Sequence, residues 1–89
     1  MTPGEEEVLA EIRRVAAFEL ELDRPVEPGD AITSDLQLDS VATLTLVVAL
    51  EDRFRIRLDD ADAARVRTVA DLVRLVEARR GTVTAGVNR

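Results

Sequence analysis

LQLDSVATLTLVVALEDRF, residues 36–54, sets one serine, Ser40, directly behind Asp39 and ahead of an apolar run of helical length. The spacing predicts a helix over 40–54, with Asp39 or Ser40 as its N-cap, since both side chains accept hydrogen bonds from free N–H groups of a first turn. Taking Val47 as the centre of the buried face and stepping about 100° per residue places Leu44, Leu50 and Phe54 within about 60° of it, as core. Val41 and Val48 fall together on a neighbouring face, Leu46 lies on the opposite flank, and the outer positions hold Ala42, Thr45 and Ala49. Charge arrives only with Glu51, Asp52 and Arg53. Two readings follow with equal weight from periodicity. Either this is a central helix buried on most sides, or Val41 and Val48, beside small uncharged residues, form an exposed strip that a partner protein covers.

On the N-terminal side, Val8, Leu9, Ile12, Val15, Ala16 and Leu20 share a stripe at spacings of three and four, which predicts a helix from Glu5 to Leu20 with acids in its first turn. Residues 22–39, LDRPVEPGDAITSDLQLD, break the helix with two prolines and a glycine. Val26, Ile32, Leu36 and Leu38 are spaced to pin this long segment onto the core as an ordered loop. On the C-terminal side, FRIRL alternates, so Phe54, Ile56 and Leu58 anchor an extended link while Arg55 and Arg57 face away. Asp59 or Asp60 caps one or two helical turns. Thr68 and Asp71 form a capping-box-like pair for a last helix whose stripe is Val69, Leu72, Val73 and Val76. Arg79 and Arg80 suit its C-terminal dipole, and Gly81 is placed to end it. The expected fold is all-α: a small four-helix bundle of three main helices and one short helix, with a long ordered first loop. The expected organisation is a flexible N-terminus over 1–4, one domain over 5–80 and a flexible tail over 81–89.

Composition excludes much chemistry. With 89 residues the chain suits one domain with a modest core. It has no cysteine, no histidine and no lysine, all 12 basic residues being arginine. Zinc sites built on Cys and His, thiol redox chemistry, His-based triads and Schiff-base lysines are therefore excluded, and no metal site is expected. No window reaches a membrane span, and the acidic start is unlike a secretory leader, so a cytoplasmic location with no membrane partner is expected. Residues 1–39 hold eleven acids against three arginines, and residues 40–89 seven acids against nine arginines. An acidic chain with two phenylalanines and no other aromatic residue lacks the basic, stacking surface that nucleic acid requires. Its net charge of −6 favours a monomer.

Ser40 has no base in reach to make it a nucleophile by itself, so any chemistry there is done to it by another enzyme. A helix N-terminus, with free N–H groups and the positive end of the dipole, suits an attached phosphate. The plainer reading is that Ser40 only caps the helix, as most Asp-Ser pairs do.

The extended stretch DLQLDSVATLTLVVALEDRFRIRL resembles the centre of an acyl carrier protein, whose pattern is Asp-Leu-Gly-Leu-Asp-Ser-Leu opening a helix that ends in Ala-Leu-Glu-Glu-x-Phe before an Ile-x-Ile/Leu turn. Asp35, Leu36, Leu38, Asp39, Ser40, Ala49, Leu50, Glu51, Phe54, Ile56 and Leu58 fit it, and VRTVADLV is similar to the start of the family's last helix. The resemblance covers residues 5–80. It implies a non-catalytic carrier, discrete rather than built into a larger synthase. Ser40 would receive a covalent 4′-phosphopantetheine arm from a phosphopantetheinyl transferase that holds Mg²⁺ in its own site, and Asp39 would aid that recognition. Acyl groups would ride the arm as thioesters to partner enzymes: synthases, acyltransferases or ligases, and thioesterases. Val41, Thr45, Val48, Glu51, Asp52 and Leu58 match partner-facing positions. Leu44, Val47, Ile56 and Val66 are read first as core and second as a lining for the acyl chain. Gln37 departs from the pattern where the family has glycine, Ala42 and Thr45 stand where fatty-acid carriers have acids, and Arg55 and Arg57 replace Gly and Glu. Those departures imply specialised metabolism, polyketide or hybrid, over primary fatty-acid synthesis. The Gly-Gly-(His/Asp)-Ser loop of peptidyl carriers is absent. The alternative is an unmodified adaptor descended from carriers.

Overall fold

The structure, a computed structural model, describes the backbone of residues 1–87 and side chains through Arg80. Four helices follow one another, α1 (Pro3–Phe18), α2 (Ser40–Phe54), α3 (Asp60–Ala64) and α4 (Val69–Val87), and α1 packs against both α2 and α4. The all-α bundle with one short helix and an ordered first loop is the expected one.

Helix α1 starts earlier than its apolar stripe suggests. Thr2 Oγ1 accepts from the Glu5 N–H at 3.1 Å while Glu5 Oε1 accepts from the Thr2 N–H at 2.9 Å. This reciprocal box, with Pro3 in the first turn, orders residues assigned to a loose lead-in. Val8, Leu9, Ile12, Val15 and Ala16 are buried as the stripe requires.

The first loop is pinned as expected: Val26, Ile32, Leu36 and Leu38 are all buried. Its backbone also completes α4. The carbonyls of Asp30 and Pro28 accept from the N–H groups of Val69 and Ala70 at 3.0 and 2.8 Å, and the Ile32 N–H donates to the Arg67 carbonyl at 2.9 Å. First-turn N–H groups have no partner inside their own helix, so the loop supplies what α4 cannot. Thr68 and Asp71 form the expected box, each side chain accepting from the other's N–H at 3.1 and 3.2 Å. Helix α4 continues through Gly81, so that glycine does not end it. The tail assigned to 81–89 reaches residues 88 and 89, which lie outside the described residues.

Helix α2 is rotated from its expected setting. Leu46 and Leu50 are its buried residues, at 1% and 0% exposure, whereas Leu44, expected in the core, is 61% exposed. Val47 and Phe54 are half-buried. The guanidinium groups of Arg53 and Arg80 lie over the Phe54 ring, at 5.1 and 4.7 Å from its centroid, and both arginines pair with Glu7 of α1. Ala42 and Ala49, placed outermost from the sequence, pack against the core because α1 lies across that side. Arg79 of α4 hydrogen-bonds Asp62 and so holds the short α3.

Glu11 is the one buried charged side chain among the described residues. Arg14 holds its carboxylate at 2.6–3.2 Å, and Arg53 approaches from α2 at 3.8 Å. The Arg14 hydrogen bonds, and then the charges of Arg14 and Arg53, lower its pKa below the ordinary 4.5, against the opposing pull of burial. A depressed folded pKa means the unfolded chain binds the proton more readily. The contribution is therefore present above pH 4.5 and lost as pH falls through the folded value. Urea midpoints measured from pH 7 to pH 3 should fall on the acid side, and Glu11→Gln should flatten that fall.

Gln37 and Arg55 have φ of 56° and 58°, in the left-handed region. A side chain there costs about 1–2 kcal/mol, partly offset in a glycine variant by the entropy of its unfolded chain, about 0.5–1 kcal/mol. Arg55 is exposed, has no ion pair among the described residues, and is the C-cap of α2. Arg55→Gly should raise stability by about 0.5–1 kcal/mol in chemical denaturation.

Candidate functional site

The N-terminus of α2 separates two roles that the sequence left open between adjacent residues. Asp39 is the cap: its Oδ1 accepts from the Ala42 N–H at 2.8 Å, and its carbonyl accepts from the Thr43 N–H at 2.9 Å. Ser40 is the first helical residue and is exposed, and its hydroxyl has no hydrogen-bond partner among the described residues. The N–H groups of Ser40 and Val41 likewise have no hydrogen-bond partner among the described residues. A free hydroxyl beside free N–H groups at the positive end of a helix dipole fits a phosphodiester.

Around α2, three faces radiate from that point. Leu46 and Leu50 face the core. Thr43 and Val47, one and two turns beyond Ser40, line a cavity of about 380 Å³ between the first loop, α2, α3 and α4, together with Leu58, Val66 and Leu72. Val41, Leu44 and Val48 form the third face, at 71%, 61% and 45% exposure. Stepping about 100° per residue puts these three within about 60° of one another and nearly opposite the buried pair, with Ser40 on the border between strip and cavity.

The remaining sequence-derived positions divide between these faces. Thr45 is half-buried, its hydroxyl donating to the Val41 carbonyl at 3.0 Å. Asp52 is exposed and lines a shallow groove with Val41, Leu44, Thr45 and Val48 against α1. Glu51 is half-buried, and its Oε2 accepts from the Leu58 N–H at 2.8 Å, bracing the link after α2. Leu58 lines the cavity, away from the strip. Of the residues read as a cargo lining, Val47 and Val66 line the cavity, Ile56 is core and Leu44 is on the strip. Phe18, 77% exposed at the end of α1, was not marked from the sequence; it lies off the α1 stripe, which is the signal that could have flagged it.

An exposed serine at a helix N-terminus is a place where a phosphate-linked group can be accommodated. A family model described as the phosphopantetheine attachment site matches residues 7–76. An acyl carrier protein of Micrococcus luteus is 34% identical over 75 residues, covering 83% of this chain and 93% of the relative. Acyl carrier protein 3 of Ralstonia nicotianae is 42% identical over 84 residues, covering 88% and 94%. The crystal structure of an acyl carrier protein from Thermotoga maritima superposes with a TM-score of 0.82 at 23% identity, covering 91% of this chain and 95% of that one, and supports the fold. A putative acyl carrier protein from Mycobacterium tuberculosis gives 0.69 at 32% identity, covering 83% and 95%. The chain belongs to the acyl carrier protein family. Its cofactor is phosphopantetheine, and its role is that of a non-catalytic carrier. No helix among the described residues is long and apolar enough to cross a membrane.

Proposed function

We propose that Ser40 is the attachment residue and that the chain carries acyl groups for specialised, polyketide or hybrid, biosynthesis. The observation behind the site is the division of labour at α2: Asp39 caps the helix, and the Ser40 hydroxyl has no hydrogen-bond partner among the described residues. This also weakens the adaptor reading, in which Ser40 would be the cap. Attachment forms a bond between Ser40 Oγ and the β-phosphorus of coenzyme A, breaks the pyrophosphate bond, releases 3′,5′-ADP, and passes the serine proton to a base of the transferase. The arm supplies a terminal thiol for acyl groups. The chain's part is to expose the hydroxyl, offer N–H groups to the phosphodiester, and hold the border between strip and cavity in place.

The pathway reading rests on α2. Val41, Leu44 and Val48 are exposed, Ala42 and Thr45 bring no charge, and Glu51 is engaged internally. Apolar contact rather than charge steering then selects partners, and exposed apolar surface of this kind is a docking signal. Val48→Asp should leave the melting temperature near wild type and lower transfer from a cognate synthase at least tenfold.

Attachment is tested by incubating the purified protein with a broad-specificity transferase, Mg²⁺ and fluorescent coenzyme A. Wild type should take one label and Ser40→Ala none. Wild type that stays dark while a control carrier is labelled overturns the site.

A further inference from the structure

Arg55 and Arg57 depart from the carrier pattern and take no part in the site at Ser40. Both are exposed, with the buried Ile56 between them. Neither side chain makes a hydrogen bond or ion pair among the described residues. Asp52 stands three residues before Arg55 and Asp59 two after Arg57, yet neither carboxylate pairs with them. A shortage of acids is not the cause. The chain has 18 acids to 12 arginines, and Arg53 just before and Arg74, Arg79 and Arg80 in α4 each pair with a carboxylate. Arg55 also holds a φ of 58°, a left-handed conformation that a side chain adopts at a cost and glycine does not. The α2 dipole favours a cation at this C-cap, but Arg57 lies beyond the helix, where that effect falls away. Stepping about 100° per residue, which groups Val41, Leu44 and Val48, brings position 55 onto the same face. The exposed apolar strip therefore leads to these two arginines, Val41 and Arg55 being about 21 Å apart along α2.

We infer that Arg55 and Arg57 form the charged end of the docking strip and receive a pair of carboxylates on a partner protein. The inference rests on the α2 strip being the docking face and adds the charge its partner must carry there. Apolar contact along Val41, Leu44 and Val48 is non-directional and leaves a partner free to slide along the helix. A guanidinium presents a planar fork of donors that matches the two oxygens of a carboxylate, so two such pairs at one end fix the register. Docking there breaks no ion pair of the carrier, since neither arginine has one to give up. A protein surface fits these arginines better than a nucleic acid or an anionic membrane. The chain carries −6 overall, so an extended polyanion meets net repulsion, whereas a local pair of carboxylates beside an apolar contact meets the two arginines at short range.

The test uses two synthetic helical peptides whose leucines, spaced three and four apart, match the strip. One bears two glutamates at one end and the other two glutamines. The full chain labelled with ¹⁵N is titrated with each, and NMR follows the Val41, Leu44 and Val48 amides and the Arg55 and Arg57 Nε–H. The glutamate peptide should bind at least about threefold tighter in about 50 mM salt, and the advantage should vanish near about 500 mM. Arg55→Gln with Arg57→Gln should bring the glutamate peptide to the affinity of the glutamine peptide. Arg65→Gln with Arg67→Gln, which removes the other two described arginines that lack an ion pair, should preserve the difference. The amide spectrum shows that each variant is folded. Equal affinity of the two peptides for wild type, or equal losses in the two double variants, overturns the inference and leaves the strip and the carrier standing. Val41, Leu44 and Val48 signals unmoved by either peptide overturn the strip as docking face and this inference with it, while loading of Ser40 is read separately. Tighter binding of single-stranded DNA or phosphatidylglycerol vesicles than of the glutamate peptide also overturns it and assigns the arginines to a polyanion.

Discussion

Leu46→Ala should destabilise the domain by about 2–5 kcal/mol, while Leu44→Ala, two residues away on the same helix, should change stability by no more than about 0.5 kcal/mol. Leu46 is 1% exposed and belongs to the core cluster with Leu50. Truncating it removes the transfer free energy of its buried methyl groups and leaves a cavity that α1 closes only in part. Leu44 points to solvent at 61% exposure, and alanine is at least as good a helix former as leucine. Small domains have about 5–15 kcal/mol of stability in total, so the first loss is a large share of it. Urea denaturation at neutral pH measures both. Comparable losses for the two variants would contradict the rotation of α2 described above.

The second large effect separates Asp39 from Ser40. Ser40→Ala should abolish phosphopantetheine loading and leave stability within about 0.5 kcal/mol. Asp39→Ala should cost about 0.5–2 kcal/mol, because it removes the side chain that accepts the Ala42 N–H at 2.8 Å. The same denaturation series, run beside the labelling assay, gives both readouts. A Ser40→Ala variant destabilised as much as Asp39→Ala would restore the serine to the role of cap.

What could be read from the sequence follows a physical line. The loop anchors Val26, Ile32, Leu36 and Leu38 were legible because an apolar residue in a polar, proline-containing segment has few places to go except the core. The Thr68–Asp71 box was legible because it is local. The Thr2–Glu5 box carried the same local signal but lay ahead of the apolar stripe that was used to find the helix. Gly81 misled because a glycine's freedom permits a helix end without requiring one. Helix α2 resisted reading for a different reason. Its apolar residues occupy the core, cavity and strip faces together, so the sequence has no unique centre. Periodicity put Leu44 in the core and Leu46 on the opposite flank, and the packing of α1 against α2 reverses the two. The assignment of Glu51 to the partner surface missed its contact with the Leu58 N–H, which exists only once the chain turns at Arg55 in the left-handed region. The functional centre was the more legible part, since Asp39 and Ser40 sit in a long family pattern, but which of them caps the helix needed coordinates.

The chain has two serines, Ser34 and Ser40, and both are exposed. Ser34 lines the cavity from the loop, and Ser40 opens α2. Site-resolved mass spectrometry of protein coexpressed with a broad-specificity transferase therefore tests the central claim most directly. The expected result is one phosphopantetheine on the peptide fragment containing Ser40, with Ser34 unmodified. Addition at Ser34, or no addition under conditions that load a control carrier, would contradict it.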